Sequence, residues 1–248
     1  MLETAVALAL AHCLADFTLQ SDAMVRNKAR TKVLLAHVGV VALASWVALG
    51  FAPVPLLILL IAASHFVIDG LKIRFGGPGF APFAADQAAH AAMIALGAAL
   101  VPGAYTGGLW SLLATGPLGP WMAQLPSLMA LAAGLVATVW AGGYAVRTVM
   151  SGLAFTEAQH SLPKGGQLIG RLERLMILML LLANQPDGIG LLIAAKSILR
   201  FNELARDATG TDAGRRASEY VIIGTLASFA WAIATAWATG AAMRALAP

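Results

Sequence analysis

Apolar runs long enough to cross a bilayer recur along this chain, and few folds can house them. A helix needs roughly 20 apolar residues to span the hydrocarbon core. No water is available there, so every backbone N–H and C=O must find its partner within the protein. The sequence therefore reads as an all-α integral membrane protein, a polytopic bundle of about eight transmembrane helices. The expected helices cover 2–21, 33–51, 54–75, 83–102, 125–149, 167–184, 187–205 and 218–243. Composition agrees: 59% of the 248 residues are hydrophobic and 11% are charged, against about 25% charged in soluble domains. Met1-Leu2-Glu3 lacks the basic start of a secretory signal, so the first run is expected to stay as a helix. Cys13 is the single cysteine, which excludes an intrachain disulfide.

The breaks between runs have local causes. Pro53 and Pro55 open the third helix and GGPG at 76–79 closes it, because proline and glycine leave helical geometry there. Residues 101–126 hold four prolines, five glycines and no charge. That stretch reads as a connector in the membrane interface, with Trp110 and Trp121 at headgroup level. It suggests an N-terminal half over 1–103, a connector over 104–124 and a C-terminal half over 125–248. Arg26, Lys28, Arg30 and Lys32 follow the first helix, Lys72 and Arg74 close the third, and Arg206, Arg215 and Arg216 precede the last. The opposite connectors carry no Lys or Arg, so the positive-inside rule gives an N-out/C-out topology. The net charge of +4 is read as this topology signal, and no nucleic-acid partner is expected.

Ionisable groups inside such helices need a reason, since insertion scales charge each one at least ~2.5 kcal/mol. The first helix carries His12-x3-Asp16-x3-Gln20 and the second begins with His37; the third carries His65-x3-Asp69 and the fourth Asp86-Gln87-x2-His90. Residues four apart share a helical face. With the orientation above, all of these groups lie in the cytoplasmic halves of their helices. Imidazole nitrogen and carboxylate oxygen suit Zn2+, Mn2+ or Fe2+, and this set is enough for one or two ions. The competing readings are a proton relay, a buried ion-pair network or simple helix-to-helix hydrogen bonding. No H-E-x-x-H motif occurs, so zincin-type proteolysis has no support.

A second group falls at the same level in the C-terminal half: Arg171, Glu173, Arg174, Lys196, Arg200, Glu203, Glu219 and Tyr220. Long basic side chains there either snorkel to headgroups or form an anion pocket in which guanidinium forks grip phosphate. Glu173 and Glu219 are expected to pair with Arg174, Arg200 or Lys196. His160, near Glu157, is expected in a solvated loop.

These stretches resemble a bacterial inner-membrane family, the domain-of-unknown-function family numbered 3307. The likeness rests on AHCLADFTLQSDAMVRNK, a His-led second helix, HFVIDGLKIR and DQAAH. Longer members also resemble IGRLERLMI, IAAKSILRF and EYVIIGTLASF here, so the likeness leaves out roughly residues 101–145. It implies a multi-pass protein of the bacterial inner (cytoplasmic) membrane and implies no activity. A looser similarity to membrane proteins labelled metal-dependent hydrolases is analogy alone.

The expected function is metal-dependent hydrolysis or group transfer on a lipid or lipid-linked phosphate at the cytoplasmic leaflet. His12, Asp16, His37, His65, Asp69, Asp86 and His90 would supply the ligands for Zn, Mn or Fe. Asp69 and Asp86 are the candidate catalytic carboxylates, one of them left free as general base beside a water whose pKa the cation brings to about 7. Lys72, Arg174, Lys196 and Arg200 would hold the phosphate. Gln20, Gln87, Glu173, Glu219 and Tyr220 would support the two groups. The alternatives are a proton or divalent-metal transporter using the same cluster, and a non-catalytic scaffold. A membrane lipid or lipid-linked substrate is the expected partner, with homo-oligomerisation left open.

Overall fold

A computed structural model describes residues 1–153, 165–207 and 212–247, excluding the side chains of 199–215, 217 and 218. Glu157, His160, Lys164 and the side chains of Arg200, Glu203, Arg206 and Arg215 therefore lie outside the described residues. All regular structure among the described residues is helical. Every long helix expected from the apolar runs is present: α1 (Leu2–Phe17), α3 (Thr31–Ala48), α4 (Pro55–Phe75), α5 (Phe80–Leu100), α8 (Leu125–Val136), α9 (Gly142–Met150), α10 (Gly165–Leu182), α11 (Asp187–Asp207) and α12 (Asp212–Leu246). A π-helical turn, Ala137–Ala141, joins α8 to α9. Short helices α2 (Asp22–Asn27), α6 (Leu109–Leu113) and α7 (Gly119–Met122) occupy the connections.

Five helical runs among the described residues are long and apolar enough to cross a membrane: Thr31–Ala48, Pro55–Phe75, Phe80–Leu100, Gly119–Met150 and Glu219–Leu246. The remaining long helices fall short for visible reasons. α1 has 16 residues, about 24 Å at 1.5 Å per residue. It ends early because Ser21 caps the next helix, accepting from Met24 N at 3.3 Å, with Asp22 in the first turn. α10 carries Arg171, Glu173 and Arg174 in mid-helix.

Two compact units emerge. One comprises Met1–Gly77, Ala81–Ala137 and the segment from Thr239; the other comprises Pro78–Phe80 and Thr138–Ala238. In the first unit α8 packs along α1, and α3 packs between α1 and α4. Its apolar core joins Leu8, Ala11, Val41, Leu57, Ile61 and Met129. Gly97 permits this packing, since a Cβ there would lie 2.9 Å from Leu57 Cδ1.

The connector is tied down over one end of this unit. Thr4 Oγ1 donates to the Pro102 carbonyl (2.9 Å) and accepts from Tyr105 N (3.2 Å), while Trp110 Nε1 donates to the Val47 carbonyl (2.8 Å). Trp110 thus belongs to the bundle end, whereas Trp121 is exposed. Gly50 takes φ +67°, and a Cβ there would lie 2.8 Å from Trp110 N. Gly50→Ala is expected to cost about 1–2 kcal/mol from the left-handed backbone alone, read as a lower unfolding temperature in detergent.

In the second unit, a buried cation answers an irregular backbone. Arg174 Nε and Nη2 donate to the Val139 carbonyl at 3.3 and 3.0 Å, inside the π-helical turn, and Nη1 donates to Ser228 Oγ at 3.1 Å. Gly142 makes room for it, because a Cβ there would meet Arg174 Cδ at 2.8 Å. Lys196 Nζ pairs with Glu173 Oε2 at 2.6 Å, as expected for a carboxylate too short to snorkel.

Candidate metal centre

Each of four helices in the first unit buries one stripe of residues, apolar along most of its length and ionisable at one end. On α4 the stripe is Leu57, Ile61, His65 and Asp69; on α3 it runs His37, Val41, Ser45 and Ala48. α1 buries Leu8, Ala11, His12 and Ala15, and α5 buries Phe83, Asp86 and His90. The polar end falls late in α1 and α4 and early in α3 and α5. Because successive helices run in opposite directions, those ends meet at one level.

The structure brings His12, Asp16, His37, His65, Asp69, Asp86 and His90 together. His37 Nε2 lies 3.0 Å from His65 Nε2 and 3.2 Å from Asp16 Oδ1. His65 Nε2 lies 3.3 Å from Asp16 Oδ1 and 3.4 Å from Asp69 Oδ2, and His37 Nε2 lies 3.6 Å from Asp69 Oδ2. Tetrahedral coordination with bonds of 2.0–2.2 Å places ligand atoms about 3.3–3.6 Å apart. Three of the five separations fall within that range, while the His37–His65 and His37–Asp16 distances are shorter and Asp69 stands outside the mutually close group Asp16–His37–His65, so a four-ligand N2O2 site requires these side chains to spread slightly. The His37 side chain has no exposed area, and those of His65 and Asp69 are 2% exposed.

The remaining residues flank this set. His90 stacks on His12 with ring centroids 4.8 Å apart and lies 4.3 Å from the His65 ring. Among the described residues, three overlapping groups have ligand atoms within 4.8 Å of one another, the spacing a metal site requires: His12–His65–His90, Asp16–His37–His65 and Asp69–Asp86–His90. Asp16 Oδ1, His37 Nδ1, Asp86 Oδ1 and His90 Nε2 are buried and make no hydrogen bond. A cavity of about 10 Å³ adjoins His12, Ser45, His65 and His90, room for about one water-sized particle. The larger cavity, about 510 Å³ between Gly50–Phe51 and Thr106–Thr115, has no titratable lining group.

Two lysines close the ionisable end. Lys72 Nζ contacts Asp86 Oδ2 at 2.6 Å. Lys28 Nζ lies 2.7 Å from Asp69 Oδ2, an ion pair outside hydrogen-bond angles. Lys28 was not among the expected site residues: with Arg26 it reads in sequence first as a topology signal, and otherwise as a contact for an anionic headgroup or phosphate at the membrane surface. The cue was the Ser21-Asp22 helix start, which folds the chain back and returns Lys28 to the bundle. Gln87 joins the group: Nε2 donates to Asp86 Oδ2 (2.9 Å) and Oε1 faces His12 Nε2 (3.3 Å). Gln20 Nε2 is buried without a hydrogen bond.

The other residues expected at a phosphate belong to the second unit. There Arg174 is 3% exposed and engaged with Val139 and Ser228, and Lys196 is engaged with Glu173. Glu219 is exposed and Tyr220 half-buried. In the first unit, Lys28 and Lys72 lie against the carboxylates of Asp69 and Asp86.

Helices of membrane-crossing length around buried imidazoles and carboxylates define the class: an α-helical membrane protein with a candidate metal centre in its N-terminal unit. Residues 5–106 match the family model described as "Protein of unknown function (DUF3307)", the family whose motifs the sequence resembles. The matched segment contains all seven candidate ligands and both lysines. It stops before the C-terminal stretches that carried the rest of the resemblance. No curated protein and no solved structure matches the chain.

Proposed function

We propose that the first unit is a metal-dependent membrane enzyme acting on a lipid or lipid-linked phosphate. Asp16, His37, His65 and Asp69 hold the cation. The observation that carries this reading is the set of five separations between 3.0 and 3.6 Å among four buried ligand atoms. Two nitrogens and two oxygens as donors favour Zn2+. In topology, the lysine-bearing end faces the cytoplasm of a bacterial inner membrane, both termini face outward, and α1, α10 and α11 complete eight crossings.

Charge supports an anionic substrate. Asp16, Asp69 and Asp86 against Lys28 and Lys72 leave one net negative charge when the imidazoles are neutral. A divalent cation reverses it to one positive charge at the mouth of the bundle. In hydrolysis, a water oxygen bonds to phosphorus, the bond from phosphorus to the lipid alcohol breaks, and the proton taken from water ends on the departing alcohol oxygen. The cation lowers the pKa of water bound to it, to about 7 in zinc enzymes.

His12 is placed to take that proton. Gln87 spends its NH2 on Asp86, so its Oε1 receives the His12 Nε2–H, an assignment made from the hydrogen-bond partners. Nδ1 of His12 then keeps its lone pair. His12→Ala should slow phosphate release from vesicles containing phosphatidic acid or a polyprenyl phosphate by roughly 10²–10⁴-fold, while Zn2+ content stays unchanged. Phosphate release at the wild-type rate would remove His12 from this role. No release by the metal-loaded wild type, with metal flux across proteoliposomes instead, would replace the enzyme by a transporter.

A further inference from the structure

We infer that the bundle holds a second divalent cation, on Asp86 Oδ1 and His90 Nε2, with Asp69 shared between the two ions. This rests on the metal-enzyme reading above and sharpens it to a two-cation centre for phosphate esters.

Proton placement supplies the first argument. His90 Nδ1 lies 2.9 Å from the Asp86 backbone carbonyl. A carbonyl only accepts, so Nδ1 carries the hydrogen and Nε2 carries a lone pair. That Nε2 is buried and makes no hydrogen bond, on a residue 3% exposed. A ring N–H fixed on a backbone carbonyl is the outer-shell arrangement that aims an imidazole at a metal.

Asp86 supplies the second argument. Its Oδ2 takes both Lys72 Nζ (2.6 Å) and Gln87 Nε2 (2.9 Å), while Oδ1 is buried and makes no hydrogen bond, the nearest ionisable group being His90 Nδ1 at 3.7 Å. The Asp86 side chain is 2% exposed. Two acceptors with no donor are therefore buried in one place, where each loses its water without replacement. A cation between them answers both.

Spacing supplies the third. Ligand atoms of Asp69, Asp86 and His90 lie within 4.8 Å of one another, and two bonds of 2.0–2.2 Å reach across about 4.0–4.4 Å, so a small inward shift of these side chains closes the site. Asp69 already gives Oδ2 to the first ligand set, so its carboxylate is the natural bridge. Bridged pairs sit about 3.5–4 Å apart and stabilise the attacking and leaving oxygens of an in-line displacement at phosphorus. Both cations would then face Lys28 and Lys72, which makes a phosphate ester, free or lipid-borne, the fitting ligand class.

The test is cation stoichiometry and spacing in the full-length protein, stripped by chelator in detergent and reloaded. Elemental analysis should find two Zn2+ per chain in the wild type and one in His90→Ala and in Asp86→Asn, with helicity by circular dichroism unchanged. Loaded with Mn2+, the wild type should give the exchange-coupled paramagnetic resonance spectrum of a close pair, and each variant the spectrum of an isolated ion. One ion in the wild type and one in both variants would overturn the second position and leave the first standing. Two ions in every protein would place the second ion elsewhere. No ion in any would overturn both. Faster phosphate release from a soluble ester than from vesicles would assign the ligand to free phosphate esters, and the reverse to lipids.

Discussion

His37→Ala should abolish binding of the cation held among Asp16, His37, His65 and Asp69, lowering the metal content by one ion per chain. His37 Nε2 is central to the ligand set, within 3.0–3.6 Å of His65 Nε2, Asp16 Oδ1 and Asp69 Oδ2. Removing it takes one of four donors from a site with no exposed area at that residue, so solvent has no direct route to replace it. Outer-shell substitutions at metal sites cost roughly 10–100-fold in affinity, and loss of a ligand should exceed that. Elemental analysis after dialysis against dilute chelator reads the effect directly. Lys196→Ala, in the second unit and paired with Glu173, is the matched control and should retain the wild-type content. Equal retention by His37→Ala would show that the four atoms are not the site.

Gly134→Ala should produce a large loss of stability from a single methyl group. A Cβ at Gly134 would lie 2.8 Å from Thr239 Cβ and collide with the Thr239 side chain, and Thr239 is 5% exposed. Membrane helices associate through such small residues because lipid offers no hydrophobic drive to compensate for separation. Overpacking costs about 1–3 kcal/mol, or roughly 2–12 °C in unfolding temperature for a chain of this size. Gly39→Ala, also within a helix, meets nothing within 4 Å and should leave the unfolding temperature level or slightly raised, since alanine favours the helix. A scanning fluorimetry series in one detergent compares the two. Equal midpoints would mean that this helix contact yields at little cost.

Much of this was legible from spacing. The i, i+4 pairs His12/Asp16, His65/Asp69 and Asp86/His90 each put two ligands on one face, and the alternating directions of apolar runs put those faces at one depth. What periodicity cannot give is the partner across the bundle. The close approach of His37 to His65 comes from how α3 and α4 pack, and no pattern within either helix encodes it. The role of Lys28 depends on a chain reversal at residues 18–30, where α1 stops four residues sooner than its apolar run suggests. Arg174 reads in sequence as an anion-gripping fork; the π-helical turn that claims it is a backbone irregularity with no marker in composition. The apolar connector also conceals how α8 joins the first unit along α1, since hydrophobic pattern says that a helix is buried without saying against what.

Zinc K-edge absorption of the zinc-loaded, full-length protein tests the central claim most directly, with Asp16→Asn measured beside it. The expected wild-type spectrum shows nitrogen and oxygen ligands only, at about 2.0–2.2 Å, with the multiple-scattering signature of imidazole, and Asp16→Asn loses one zinc ion per chain. A spectrum with a sulfur ligand from Cys13, or zinc retained equally by Asp16→Asn, would contradict a cation held among Asp16, His37, His65 and Asp69.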